Sequence, residues 1–316
     1  MQRSYWFCLF MSLACLPQVT LGDEKDTPLW LTNFEEAKKT AAKNKLDILM
    51  LFTGSDWCPP CIRLERGVLE TEEFKTKVPK HFVLLVLDNP RNRTKITKKE
   101  RIHSLALRGD FYIESVPTVI LTDARGIPYA HKKGYSGQAA KAYVSELLRF
   151  QDIRKERDTA FDRAAKAQGL KRAKFLGRGL ANIHNLTAVR FYRKTVEEIV
   201  SLDPNDKEKL RSRYRPVIQL VAVKELLTDV VEMTKTQGPK KGIAKLDAFL
   251  KHEKLEGELL QQVLFLKGLY ESTFDKQVSK QTLERARDVD PNSEWAQQIQ
   301  AFLKSEFGEK DQSPQR

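Results

Sequence analysis

The chain has 316 residues, 41% of them hydrophobic and 31% charged, with a formal net charge of +13 at pH 7. That length accommodates two ordinary domain cores, and no stretch beyond the amino terminus is long and apolar enough to cross a membrane. The positive excess is spread over both halves. Only "RNRTKITKKER" (Arg91 to Arg101) is locally dense, and it has no interleaved aromatics. A nucleic-acid partner is therefore not expected. A solvated loop is the first reading of that run, and docking of an acidic partner or envelope surface is the second.

In chain order, "MQRSYWFCLFMSLACLPQVTLGDEKD" places Arg3 before an apolar run from Tyr5 to Leu16, then small residues ahead of Asp23. This is the layout of a secretory signal peptide over residues 1–22. The run is shorter than the roughly 20 apolar residues a span needs. A retained anchor, or a lipoprotein signal ending at Cys15, is the alternative. The expectation is an exported protein, periplasmic or secreted, with at most peripheral membrane contact.

"WLTNFEEAKKTAAKNK" (Trp30 to Lys45) has helical spacing, with Thr32 or Asn33 as its cap. "LDILMLF" follows as a strand buried on both faces. After "GSDWCPPC", "CIRLERGVLETEEFKTKV" reads as a helix that Gly67 weakens or bends. "HFVLLVLD" is a second buried strand, and a short helix is expected near Lys98 to Leu107. "VPTVIL", the turn "DARG" and "IPYAH" form an antiparallel hairpin. "SGQAAKAYVSELLRF" closes the domain at Phe150 as a helix capped by Ser136. Residues 23–150 thus contain the strands of an α/β domain, and a fragment ending at Phe150 is expected to fold. Residues 151–316 are helical throughout. Two similar endings, Asp203-Pro204-Asn205 and Asp290-Pro291-Asn292, stop helices there. This half resembles degenerate tetratricopeptide-type repeats, with a plain bundle as the alternative, and it is expected to bind a partner.

Once the leader is removed, Cys58 and Cys61 are the only cysteines left. Their loop is too short to stabilise a fold much by cross-linking. Zinc needs about four ligands, and neither His81 nor His103 supplies a second pair, so no metal site is expected. Copper(I) held by the two thiolates and an inactive inherited motif stay open beside redox chemistry.

A buried strand running into W-C-P-P-C, V-P-T on a later strand, then a hairpin and a last helix make Trp30 to Phe150 resemble thioredoxin. The likeness is strongest to exported thioredoxin-like proteins with an F-T-G-S-D-W-C approach to the motif. It implies a central mixed sheet flanked by helices, and protein thiol–disulfide exchange through a Cys58–Cys61 couple that needs no other cofactor. Cys58 is the expected nucleophile, its thiolate favoured at a helix start, and Cys61 resolves the mixed disulfide. Pro59 and Pro60 suit the first helical turn. Trp57 offers an apolar platform to the client. The resemblance also implies a cis Val116–Pro117 bond facing the cysteines, where an extended client segment can pair. Protein clients and an unidentified redox partner follow. With no histidine between the cysteines, a reducing or intermediate couple is expected. Thioredoxin's buried aspartate has no counterpart in the apolar "ILMLFT". Asp56 is expected to be exposed and Asp47 lies at the far end of the strand. Glu65 is either a substitute or a solvated helix residue.

Overall fold

The computed structural model describes residues 28–308. The expected leader, residues 1–22, and its cleavage site before Asp23 lie outside the described residues. Five strands form one sheet: β1 (Trp30–Leu31), β2 (Asp47–Thr53), β3 (Phe82–Asp88), β4 (Thr118–Thr122) and β5 (Pro128–Lys133), in the order β1-β3-β2-β4-β5. β1, β3 and β2 run parallel, whereas β4 and β5 are antiparallel to their neighbours. Every residue of β2 is buried, as its unbroken apolar run requires of a central strand with both faces covered. One face packs Leu49, Leu51 and Leu84 against Val68, Phe74 and Tyr143. The other packs Ile48, Met50 and Phe52 against Phe34, Ala41 and Phe111.

The helices on these faces are α1 (Phe34–Asn44), α2 (Pro59–Leu64), α3 (Glu72–Lys77), α4 (Lys98–Asp110) and the first half of α5 (Ala140–Ala165). Asn33, not Thr32, caps α1 by accepting from the Glu36 N–H at 3.1 Å. Trp30 and Leu31, expected to begin that helix, instead pair with Leu84 and Leu85 as a short strand. Backbone pairing at the sheet edge wins over a helical pattern that Asn33 already interrupts. The helix expected after the cysteines is broken at Gly67 by one turn of π-helix over Glu65–Leu69 and restarts with Thr71 as its cap.

Two further expectations are corrected at α5. Ser136 does not cap it: the Ser136 hydroxyl bonds Gln138 Oε1 at 2.9 Å, and the helix begins four residues later with no side-chain cap. Nor does the helix stop at Phe150. It continues to Ala165, since no glycine or proline interrupts the chain between Gly137 and Gly169, and its second half packs on the sheet domain through Ile153 and Arg154.

Among the described residues, eight more helices follow: α6 (Gly169–Gly179), α7 (Asn185–Phe191), α8 (Arg193–Leu202), α9 (Leu210–Gln237), α10 (Pro239–His252), α11 (Gly257–Glu271), α12 (Lys276–Val289) and α13 (Glu294–Phe307). From α9 onward each packs on the next. None of the described helices is long and apolar enough to cross a membrane. The two Asp-Pro-Asn endings do different work. The Asp203 carboxylate accepts from the N–H groups of Lys207, Glu208 and Leu210 and so shapes the turn into α9. At Asp290 it is the carbonyl that accepts, from Ser293, which caps α13.

Beyond α5, the helical half also docks on the sheet domain along a seam at α7 and Tyr192. Phe191 packs on Phe111 with ring centres 4.6 Å apart. Thr187 Oγ1 donates to the Phe111 carbonyl at 3.2 Å, and the Tyr192 hydroxyl donates to the Pro128 carbonyl at 2.6 Å. Arg190 pairs with Asp110 at 2.8 Å. His184 stands edge-on to His131 of β5 at 6.3 Å between ring centres.

Candidate active site

β2 delivers the chain to Gly54, whose carbonyl accepts from the N–H groups of Trp57 and Cys58 at 3.3 and 3.0 Å. This tight turn ends with Cys58 at the N-cap of α2 and Pro59 and Pro60 in its first two positions. No hydrogen-bonded N–H is needed there, and the fixed φ of proline suits the helix start. The Cys61 N–H points at Cys58 Sγ, 3.3 Å away. The two sulfurs form a disulfide, with their Cα atoms 5.2 Å apart, and both residues are buried. The Val116–Pro117 bond is cis, and the Val116 carbonyl oxygen lies 3.4 Å from Cys58 Sγ. The structure therefore brings together Trp57, Cys58, Pro59, Pro60, Cys61, Val116 and Pro117, residues from two segments some sixty positions apart.

Trp57 is held in place, not simply exposed. Its indole N–H donates to the Asn89 carbonyl at 2.8 Å, and the Arg91 guanidinium lies 5.7 Å from the ring centre. Its ring packs so closely over Gly54 that a Cβ there would fall 2.5 Å from it. The residues around the turn are fastened to the segment after β3. Asp88 accepts from the Ser55 N–H at 3.0 Å and its hydroxyl at 2.6 Å. Asp56 accepts from the N–H groups of Arg91 and Asn92 at 2.8 and 2.9 Å. The expected exposure of Asp56 is corrected here: its side chain is only 17% exposed because these two donors hold it against the loop. The Asn92 and Arg91 N–H groups hold its carboxyl below the usual carboxylate range. Ser55, Asp88 and Asn89 carry no sequence signal for this role. Only the fold shows that the end of β3 lies beside the end of β2.

Behind Cys61 is a cavity of about 580 Å³, lined by Leu51, Val86, Glu65, Asp88 and Lys95 as well as the cysteine. Glu65 stands exposed at its mouth. Partial burial first, then the Glu70 and Asp88 charges, raise its carboxyl above the usual range. Asp47 is about 20 Å away along β2 at 3.3 Å per residue, and it is structural. It is ion-paired with Arg154 and accepts from the Tyr129 hydroxyl at 2.9 Å. His103 is also structural, its Nε2 accepting from the Phe34 N–H at 3.0 Å. Among the described residues, no three His, Cys, Asp or Glu side chains are grouped to hold a metal ion.

A family model described as a thioredoxin-like domain matches residues 34–150. This part of the chain is a thioredoxin-like domain, with the Cys58–Cys61 disulfide at the start of its α2. It is homologous to two proteins of Chlamydia pneumoniae. The thioredoxin-related protein DsbJ is 31% identical over 115 residues, which are 36% of this chain and 32% of DsbJ. The disulfide bond reductase DsbH is 27% identical over 149 residues, 44% of this chain and 89% of DsbH. This chain thus spans about a third of the length of DsbJ. A solved structure described as DsbH oxidoreductase is 26% identical and covers 37% of this chain and 80% of its own, with a TM-score of 0.35.

Proposed function

We propose that the protein is an exported thiol–disulfide oxidoreductase that acts on protein disulfides in the reducing or intermediate direction. The observation that carries this reading is the position of Cys58 Sγ, between the Cys61 N–H at the start of α2 and the Val116 carbonyl before a cis proline. In the reduced protein, that N–H and the helix start favour a thiolate on Cys58. The thiolate attacks one sulfur of a client disulfide and expels the other as a thiolate, which takes up a proton. Cys61 then gives up its proton and attacks the mixed disulfide at Cys58. The client leaves with two thiols, and its two-electron reduction is balanced by formation of the Cys58–Cys61 disulfide. An external thiol donor must then re-reduce the couple; no other cofactor enters. The backbone at Val116 and Pro117 and the face of Trp57 are the surfaces on which an extended client segment lies.

Two features support the reducing or intermediate direction. No histidine stands between the cysteines to stabilise a thiolate strongly, and one relative is named a disulfide bond reductase. Export is supported by the leader-like first 22 residues. The helical half, in this reading, selects or positions the client. Equilibration with glutathione tests the direction: a potential nearer the roughly −270 to −180 mV range than −120 mV is expected. A value above about −140 mV would make it an oxidant. Absence of insulin reduction, together with tight Cu(I) binding lost in Cys58→Ser, would replace the enzyme with a copper-binding scaffold. Cys61→Ser, which blocks resolution, should trap clients on Cys58 for identification by mass spectrometry.

A further inference from the structure

The Arg91 to Arg101 run takes no covalent part in the redox chemistry, yet the structure fastens this run to the redox turn. Asp56, two residues before Cys58, holds the N–H groups of Arg91 and Asn92. Arg91 lies over Trp57, and Lys95 lines the cavity that reaches Cys61. The cations are not neutralised from within. Among the described residues, Arg91, Arg93, Lys98, Lys99 and Arg101 have no carboxylate within 4.0 Å, and Lys95 reaches Asp56 only at 4.0 Å. The one acid in the run, Glu100, is committed to the α4 capping box, accepting from Thr97 N–H and Oγ1 at 2.8 Å each. Beyond it, α4 exposes two large apolar side chains, Ile102 at 56% and Leu105 at 46%. A run that merely kept the protein soluble would have no reason to be anchored two residues from the reactive cysteine or to continue into exposed apolar residues.

We infer that this loop and the start of α4 form a docking surface for an acidic polypeptide segment flanking the client's reactive cysteine, with its apolar side chains set against Ile102 and Leu105. The inference rests on the oxidoreductase reading and names the class of client that site selects. A polypeptide fits better than nucleic acid, because among the described residues Trp57 is the only aromatic side chain stacked with the run and gives no platform for successive bases. It fits better than a lipid surface, because Arg91 lies over Trp57 next to the reactive cysteine and Lys95 lines the cavity that Cys61 also lines. Positive charge beside the site would steer acidic clients during encounter, an effect that salt removes.

The test uses full-length reduced protein and three synthetic peptides that share one disulfide core, flanked by glutamate, serine or lysine. Each rate is divided by the same sample's rate on hydroxyethyl disulfide, a small neutral substrate. The glutamate peptide should be reduced about tenfold faster than the serine peptide at low salt, with the advantage gone by about 0.5 M. Combined Arg93→Glu, Lys98→Glu and Lys99→Glu should abolish or invert the preference. Equal normalised rates for all three peptides would overturn the docking surface while leaving the oxidoreductase intact. If no disulfide is turned over, the enzyme reading fails, and anisotropy of the labelled peptides on Cys58→Ser/Cys61→Ser protein still decides the surface. Absence of a charge preference there overturns it. Binding to phosphatidylglycerol vesicles but not to the glutamate peptide, lost in the triple variant, would overturn the peptide in favour of a lipid.

Discussion

Arg154 pairs with Asp47 across residue 150, joining the second half of α5 to the first residue of the strand that leads to Cys58. The Asp47 side chain is 3% exposed and also accepts from the Tyr129 hydroxyl, whereas Arg154 is 39% exposed. Arg154→Ala leaves a buried carboxylate without its cation. A hydrogen bond to a charged group is worth about 1.5–3 kcal/mol, and the partial solvation of Arg154 lowers the expected loss to about 1–2 kcal/mol. A fragment ending at Phe150 loses the same pair and should unfold at lower urea than one ending at Ala165. Equal urea midpoints for the two fragments would show that the pair contributes nothing.

Gly54 is required by close approach alone, since its φ lies outside the left-handed region. In Gly54→Ala the new methyl would meet the Trp57 indole at 2.5 Å, and the ring must move away from the Asn89 carbonyl. Overpacking of this kind costs about 1–3 kcal/mol. The expected signature is a red-shifted tryptophan emission together with slower reduction of insulin. Unchanged emission would mean that the turn yields instead of the ring.

Glu65 and Lys95 place opposite charges on the wall of the Cys61 cavity. The raised carboxyl of Glu65 means that the folded protein keeps this proton to higher pH than the unfolded chain. Stability therefore falls slightly as pH rises through the carboxylate range. Above that range the ionised Glu65 opposes a thiolate on Cys61. Glu65→Gln should lower the Cys61 thiol pKa and speed resolution about two- to fivefold near neutrality, and Lys95→Ala should do the reverse. The ultraviolet absorbance of the thiolate in a Cys58→Ser background reads both shifts. Shifts of the same sign in the two variants would refute the electrostatic account.

His131 and His184 make the seam sensitive to acid. His131 Nδ1 is buried without a partner, and burial holds both imidazoles below their usual range. Lys133 acts in the same direction on each, and the Asn182 backbone and Glu114 oppose it. The unfolded chain therefore binds these protons first, and stability is lost as pH falls below about 6.5. The thermal midpoint should drop between about pH 7.5 and about pH 5.5, and by less in His131→Gln. An identical drop in the variant would place the acid sensitivity elsewhere.

The cysteine pair, the proline of V-P-T and the buried strands were legible because each is written in a short stretch of sequence. A continuous apolar run such as "DILMLF" has few alternatives to a central strand. The two-residue strand at Trp30 was not legible, since its only cause is the neighbouring edge of β3. The capping role expected of Ser136 failed because its hydroxyl bonds Gln138 and α5 begins only at Ala140. The length of α5 left a trace, the absence of Gly and Pro after Gly137, but the usual size of the domain concealed it. The clamp from Ser55 and Asp56 to residues 88–92 left no trace, because neither serine nor aspartate in a loop announces a partner more than thirty positions away.

The two outer strands of the sheet bear on how the protein resists aggregation. An open strand edge is a template for pairing with another chain. On one side the edge is β1, two residues long, too brief to recruit a neighbour. On the other it is β5, which begins with a proline, ends in Lys132 and Lys133, and has its Pro128 carbonyl taken by Tyr192 of the helical half. Those helices thus guard the sheet against edge-to-edge aggregation, a service that needs no client.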